Sequence, residues 1–396
     1  MHFQKSTKYI LLAFLSAPLF LSAADKQIDE KILSDDRLNL FDYSEKQNEE
    51  SSSTLKKDWI NPITLSYSKS YGDLYDSAKS AITINQPIFR SGGIYSAIKY
   101  ANATYDYNKI DIKQQKKELI KTAVTLLFNL HITDLNIKRN ELLLKNTQID
   151  VQRKKEQVLT GFLDTSTLDN AILDANSIKN NLADLRYQKE ELNYNFLNIA
   201  SAEYTSFKLP VLSLADENSF IDKNIEILKA KAEIRQKDYL KDMTVSSYLP
   251  SFNFNANHTQ YHEVEPDQIS NKNSNSYGLS VSMPLDSRTF NEIETQKLTY
   301  LKSKLNLKTT QLEEQNFYRT VLSKIKTLNE KKDIAQDDFK LYDSLLEVII
   351  QEKEAELKTQ SDVDILLNSQ KIKSIELKIY ELEKQIELLE IYSKIS

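Results

Sequence analysis

The residues best suited by type and spacing to chemistry are His258 and His262, four apart, with Glu263 and Glu265 just beyond them. Two imidazoles at i and i+4 converge on a metal ion when they share a helix face. Here they continue the alternating run Phe252-Asn253-Phe254-Asn255-Ala256-Asn257, which reads as a strand passing into a loop, so the spacing does not aim both rings at one point. No metal site and no cofactor is expected. The acidic pair Asp337-Asp338 lies in helical sequence and reads as solvated surface. Cysteine is absent, which removes disulfides, thiolate ligands, thiol nucleophiles and an N-terminal lipid-bearing cysteine. There is no glycine-rich phosphate loop and no Gly-x-Ser-x-Gly elbow, so the sequence gives no sign of an enzyme. The 52 basic and 57 acidic residues alternate along the chain, and the formal charge of −5 offers no nucleic-acid surface.

The elements that position side chains are long helices. Only 5 of 396 residues are glycine, where average usage of about 7% would give roughly five times as many. Residues 1–24 read as a secretory signal peptide: Lys5 and Lys8, an apolar run from Tyr9 to Leu21, then Ser22, Ala23 and Ala24 before Asp25. That run is too short to span a bilayer as a helix, and no later stretch approaches the required ~20 residues. The sequence therefore describes an exported protein that enters a membrane, if at all, as strands. Residues 25–58 are polar, and they are expected to be partly helical or poorly ordered.

A duplication is visible. Ile82-Thr83-Ile84-Asn85-Gln86-Pro87-Ile88-Phe89 precedes one long helical stretch, and Leu279-Ser280-Val281-Ser282-Met283-Pro284-Leu285-Asp286 precedes another. Each has an alternating partner upstream, Ile63 to Ser68 and Phe252 to Asn257. The helices carry seven-residue spacing: Ile98, Tyr105, Ile112, Leu119 and Leu126, then after a step of four Leu130, Ile137, Leu144, Val151 and Val158. Gly161 breaks this helix, and a second runs back with Ala171, Ile178, Leu185 and Leu192 on one seam. The last helix repeats the pattern with Ile365, Ile372, Ile379 and Ile386. The reversals contain Ser166-Thr167-Leu168-Asp169 and Ser361-Asp362-Val363-Asp364, both read as capping boxes with aspartate in place of glutamate. Their offset is two residues smaller than that of the prolines, which predicts two extra residues in the first turn.

The strands have one apolar face, formed by Ile63, Leu65 and Tyr67, Ile82 and Ile84, Phe252 and Phe254, and Leu279 and Val281. The other face is Ser, Thr and Asn. This suits a barrel wall between lipid and water, and it also suits a soluble sheet half-buried on helices. Four strands cannot close a transmembrane barrel, since about eight or more are needed, so closure requires several chains. Trp59, Tyr67, Tyr71, Tyr248, Tyr261 and Tyr277 fall near expected strand ends, as in an interfacial aromatic girdle. The rival reading from another class is a periplasmic or surface coiled-coil tether without a channel.

The ordered set of signal peptide, duplicated strand-strand-helix-helix unit, Asn85-Gln86-Pro87-Ile88-Phe89-Arg90-Ser91-Gly92-Gly93, Tyr248-Leu249-Pro250 and reversing turns resembles the TolC-like outer membrane factor family from about residue 59 onward. The resemblance implies a mixed α/β membrane protein. Long antiparallel α-helical hairpins would form a coiled-coil tunnel, and four strands per chain would contribute to a trimeric twelve-stranded β-barrel. On that plan residues 1–24 are the signal peptide, 25–58 an N-terminal polar periplasmic segment, 59–90 the first barrel strand pair and 91–200 the first helical hairpin. Residues 201–245 are a linker and short equatorial helix, 246–288 the second strand pair and 289–396 the second hairpin. The implied function is an exit duct in the bacterial outer membrane, in contact with lipid, a periplasmic adaptor and an inner-membrane pump of RND or ABC type. The periplasmic tip would include Gly161, Ser166, Asp169, Ser361 and Asp362. Asp364 matches the family's acidic gate position, and Gln360 stands where the family has an arginine link. The family's usual helical pair before the first strand has no full counterpart in residues 25–58.

Overall fold

The computed structural model describes residues 30–73, 76–263 and 273–396, so the expected signal peptide and Glu265 lie outside the described residues. Along the chain run α1 (Asp35–Lys57), β1 (Thr64–Ser70), β2 (Ser77–Phe89), α2 (Gly93–Leu159) and α3 (Thr165–Leu197). Then follow α4 (Glu217–Lys223), α5 (Ile225–Ser247), β3 (Ser251–Glu263), β4 (Asn273–Ser282), α6 (Thr289–Glu354) and α7 (Gln360–Ser393). No helix among the described residues is long and apolar enough to cross a membrane.

The two halves match element by element. The long helices have 67 and 66 residues, and the returning helices 33 and 34. At roughly 1.5 Å per residue each long helix is about 100 Å. The repeat is larger than the sequence suggests, because α1 and α5 each have 23 residues and each precedes a strand pair. Each half is also tied at its ends by an isolated antiparallel bridge, Leu33 with Ala200 and Asn224 with Ile395. The bonds correspond: Ser34 N–H donates to the Ile199 carbonyl at 3.0 Å as Ile225 N–H does to Lys394 at 2.8 Å. Ser201 N–H donates to Ile32 at 3.0 Å as Ser396 N–H does to Lys223 at 2.7 Å.

Within residues 25–58, expected to be partly helical or poorly ordered, Asp35–Lys57 forms one continuous helix. Asp35 and Asp36 sit at its start and Lys56 and Lys57 at its end, signs that complement the helix dipole. Leu38 and Phe41 pack against the apolar core near its start, and beyond them it docks on α2 through polar groups. Buried Asn48 donates from Nδ2 to the Tyr105 carbonyl at 3.1 Å and accepts from Asn108 Nδ2 at 3.1 Å, and buried Ser52 donates to the carbonyl of buried Ala101 at 3.5 Å. Past Phe41 the buried positions are polar, Asn48 and Ser52, and leave no apolar periodicity. The helix expected over 222–245 is α5, Ile225–Ser247, and the short α4 precedes it across Asn224. Asn224 caps α5 through Oδ1 and donates from Nδ2 to buried Glu314 at 2.8 Å, which also accepts from Lys394 at 2.7 Å.

The apolar core lies about the middle of α2, where Val124, Leu127, Phe128 and Leu130 meet Phe196, Phe220, Val321 and Leu389. Full burial of side chains of this size is worth roughly 1.5–3 kcal/mol each. Buried positions on α3 and α7 include Ala171, Ala175, Leu182, Ile372 and Ile379, in keeping with the heptads. The neighbouring helices run in the order α3, α2, α7, α6, with α5 against both α2 and α6.

Candidate functional site

The four strands form one antiparallel sheet in the order β1-β2-β3-β4, so β1 and β4 are its two open edges. The register sorts its faces. Leu65 pairs with Ile82, Ile84 with Ala256, Phe254 with Leu279, and Phe252 with Val281, and these share one face with Tyr67 and Tyr277. Ile63 immediately precedes β1 and is exposed. The opposite face pairs Thr64 with Thr83, Thr83 with Asn257, Asn85 with Asn255, and Asn253 with Ser280, whose Oγ also accepts diagonally from Asn255 Nδ2 at 2.8 Å. No helix covers either face through more than stray contacts. A half-buried soluble sheet would bury its apolar side, and here Leu65 and Leu279 are both 75% exposed. Tyr261 falls on the polar face, opposite Lys79, rather than in an apolar-face girdle.

His258 and His262 do not converge. His258 Nδ1 bonds Asn275 Oδ1 at 2.6 Å, and His262 Nε2 bonds Ser80 Oγ at 2.8 Å. Among the described residues no group of three His, Cys, Asp or Glu could hold a metal.

The reversing turns, 160–164 and 355–359, have equal length, so the expected two-residue excess is not in the first turn. It lies upstream, one residue in α2 and one between the proline and the helix start, 88–92 against 285–288. Gly161 takes φ +77°, a left-handed conformation that ends α2 without Cβ strain. The caps also differ from expectation. Asp164, not Ser166, caps α3 by accepting from Ser166 N–H at 3.1 Å. This bond and one from the Thr165 hydroxyl hold its carboxyl below the ordinary range. Thr359, not Ser361, caps α7 in a reciprocal box with Asp362, which accepts from Thr359 N–H at 2.9 Å. The overlapping threonine box was equally present in the sequence, and only backbone geometry chooses between them.

Asp364 is therefore no cap: it lies one turn into α7 and accepts from Gln360 Nε2 at 2.8 Å. An arginine link does exist, from a residue that sequence reasoning missed. Arg153, near the end of α2, bridges to Asp362. Gln152, Arg153, Ser361 and Asp364 line an open cavity of about 510 Å³ between the hairpins. Ser166 and Asp169 stand exposed on α3, and Phe162 and Leu357 project from the turns at 86% and 73% exposure. The bridge brings both turns to one end of the long helices, away from the strands.

The helical layer has open edges too, α3 and α6. On α6, Leu298, Leu305 and Leu312, then Ile334, Leu341 and Val348, recur every seven residues and are all more than half exposed. On α3, Leu173, Tyr187 and Tyr194 fall on one heptad position, with Asn180 intervening after Leu173, and are also more than half exposed. Heptad apolar seams of this kind are normally buried against another helix.

This is the fold of outer membrane channels. The chain is similar to VceC, an outer membrane protein of Vibrio cholerae, with TM-score 0.72 and 12% identity over 93% of this chain and 95% of that one. It is similar to the CmeC outer membrane channel of Campylobacter jejuni, with TM-score 0.72 and 14% identity over 93% and 84% of the two chains. For the open state of the MtrE outer membrane channel of Neisseria gonorrhoeae the values are 0.69 and 13%, over 93% and 87%. No protein-family model matches the sequence. No curated protein matches it either.

Proposed function

We propose that the chain is a TolC-like outer membrane factor, not an enzyme: a homotrimeric exit duct in the bacterial outer membrane with helices extending into the periplasm. Three sheets close edge to edge into a twelve-stranded barrel, apolar face to lipid and Ser/Thr/Asn face to water. Three helical layers close in the same sense into a tunnel. The duct passively conducts cargo handed over by a periplasmic adaptor and an inner-membrane pump, in a tripartite efflux or type I secretion assembly.

One observation carries this reading: sheet and helical layer both end in open edges, and the helical edges α3 and α6 bear exposed heptad seams. Edges that differ from each other, as β1 differs from β4 and α3 from α6, join head to tail and close into a ring when the rotation permits. A tether has no use for a two-faced sheet. The likeness to outer membrane channels over 93% of the chain supports the same assembly. The test is the size of protein extracted from outer membranes in detergent, run with and without heating. A trimer that dissociates on heating is expected. Soluble periplasmic material, or a detergent monomer that still conducts, overturns the proposal.

A further inference from the structure

Among the described residues the strands hold three formally charged side chains besides histidine: Lys69, Lys79 and Glu263. Lys69 alternates with Leu65 and Tyr67 and so belongs to the apolar face, with its ammonium 5.3 Å from the Tyr71 ring centroid. Glu263, the last residue of β3, pairs with Ala78. Lys79, unlike Lys69, falls on the polar face. It pairs with Ser68 and Tyr261 and stands in line with Ala81, Thr83 and Asn85. The register of β2 on β3 shifts between Ala78 and Lys79, and such a bulge re-aims the side chains beside it. Lys79 is exposed and lies at the strand end farthest from the helices, with Asp73 and Asp76 in the turn beyond.

We propose that Lys79 is the charge-selective residue of the exit barrel: three copies form a cationic ring on a wall of hydroxyls and carboxamides, and favour anionic over cationic solutes at the outer mouth. This rests on the exit-duct reading, which turns the polar face inward. Neutral hydrogen-bonding groups on Asn253, Asn255, Asn257 and Ser280 solvate cargo of either sign and leave discrimination to whatever fixed charge the wall carries. A ring of ammonium groups raises the local concentration of anions within a Debye length, about 30 Å at 10 mM salt and about 3 Å at 1 M.

Purified channels in planar bilayers under a KCl gradient supply the test. Lys79→Gln is expected to raise the K⁺/Cl⁻ permeability ratio roughly two-fold near 10 mM salt and to leave it unchanged near 1 M, where the ring is screened. Ser68→Asp, which sets a carboxylate directly across from Lys79, is expected to shift the ratio the same way, and Lys79→Arg to preserve the wild-type value. Variant channels of wild-type conductance and heat-labile trimer size whose ratio does not move at low salt overturn the assignment of Lys79 while leaving the duct intact. Failure of the wild-type protein to form channels overturns both.

Discussion

Arg153 on α2 and Asp362 on α7 form an ion pair across 209 positions of sequence, joining the first hairpin to the second beside their turns. The same carboxylate closes the α7 capping box. Bonds from the Thr359 backbone and hydroxyl, and then the Arg153 guanidinium, hold its pKa below the ordinary range against the opposing effect of burial. A depressed carboxylate stabilises above its unfolded pKa of about 4 and loses that contribution as pH falls through the lowered value. Arg153→Gln is therefore expected to raise single-channel conductance at neutral pH, and the wild type to match it only once the pH has fallen through the lowered Asp362 pKa, below the ordinary carboxylate range. The pair is partly exposed, so thermal stability changes by less than about 1 kcal/mol. Equal conductance across that pH range would remove the link from gating.

The caps give a separable prediction. Thr359→Ala or Asp164→Ala is expected to cost about 1 kcal/mol in chemical unfolding, because each leaves helix N–H groups unpaired. Ser361→Ala and Ser166→Ala should fall within about 0.5 kcal/mol of wild type, as surface changes do. The reverse ranking would restore the serine boxes that the sequence suggests.

Leu305→Asp or Leu341→Asp on the α6 edge is expected to abolish the unheated trimer band while the extracted monomer keeps its helical circular dichroism. Each such leucine contributes roughly 1.5–3 kcal/mol when buried between chains, and a carboxylate there is costly. Retention of the trimer in both variants would place the subunit seam elsewhere.

For the adaptor, the informative positions are Phe162 and Leu357, because a cysteine at Gly161 would strain a residue held at φ +77°. With no native cysteine to compete, Phe162→Cys and Leu357→Cys should cross-link to a periplasmic adaptor carrying a thiol at its helical end. Links formed only from the strand end, for example from Tyr71→Cys, would reverse the proposed orientation.

Asp364 is expected to face the narrow end of the tunnel, where three copies would attract cations. Asp364→Asn should lower cation selectivity and weaken block by a trivalent cation, with stability little changed because only the Gln360 contact is altered. Unchanged block and selectivity would leave Asp364 as helix surface.

What the sequence determined by itself was periodic and local. Seven-residue spacing marked α2, α3 and α7 as rods, two-residue alternation marked the strands and their faces, and Gly161 marked a reversal, because each pattern records the burial or backbone conformation of its own segment. Tertiary structure decided everything carried by polar or long-range contacts. Past Phe41 the helix at Asp35–Lys57 docks on α2 through Asn48 and Ser52, and the ties from Leu33 to Ala200 and from Asn224 to Ile395 are backbone bonds that leave no side-chain signature. Nor could spacing choose Thr359 over Ser361 as a cap, or pair Arg153 with a residue 209 positions away. The unpartnered α6 seam was unreadable for the same reason: an apolar heptad looks alike whether its partner lies in the same chain or in the next, and only the folded chain shows which seams it leaves bare.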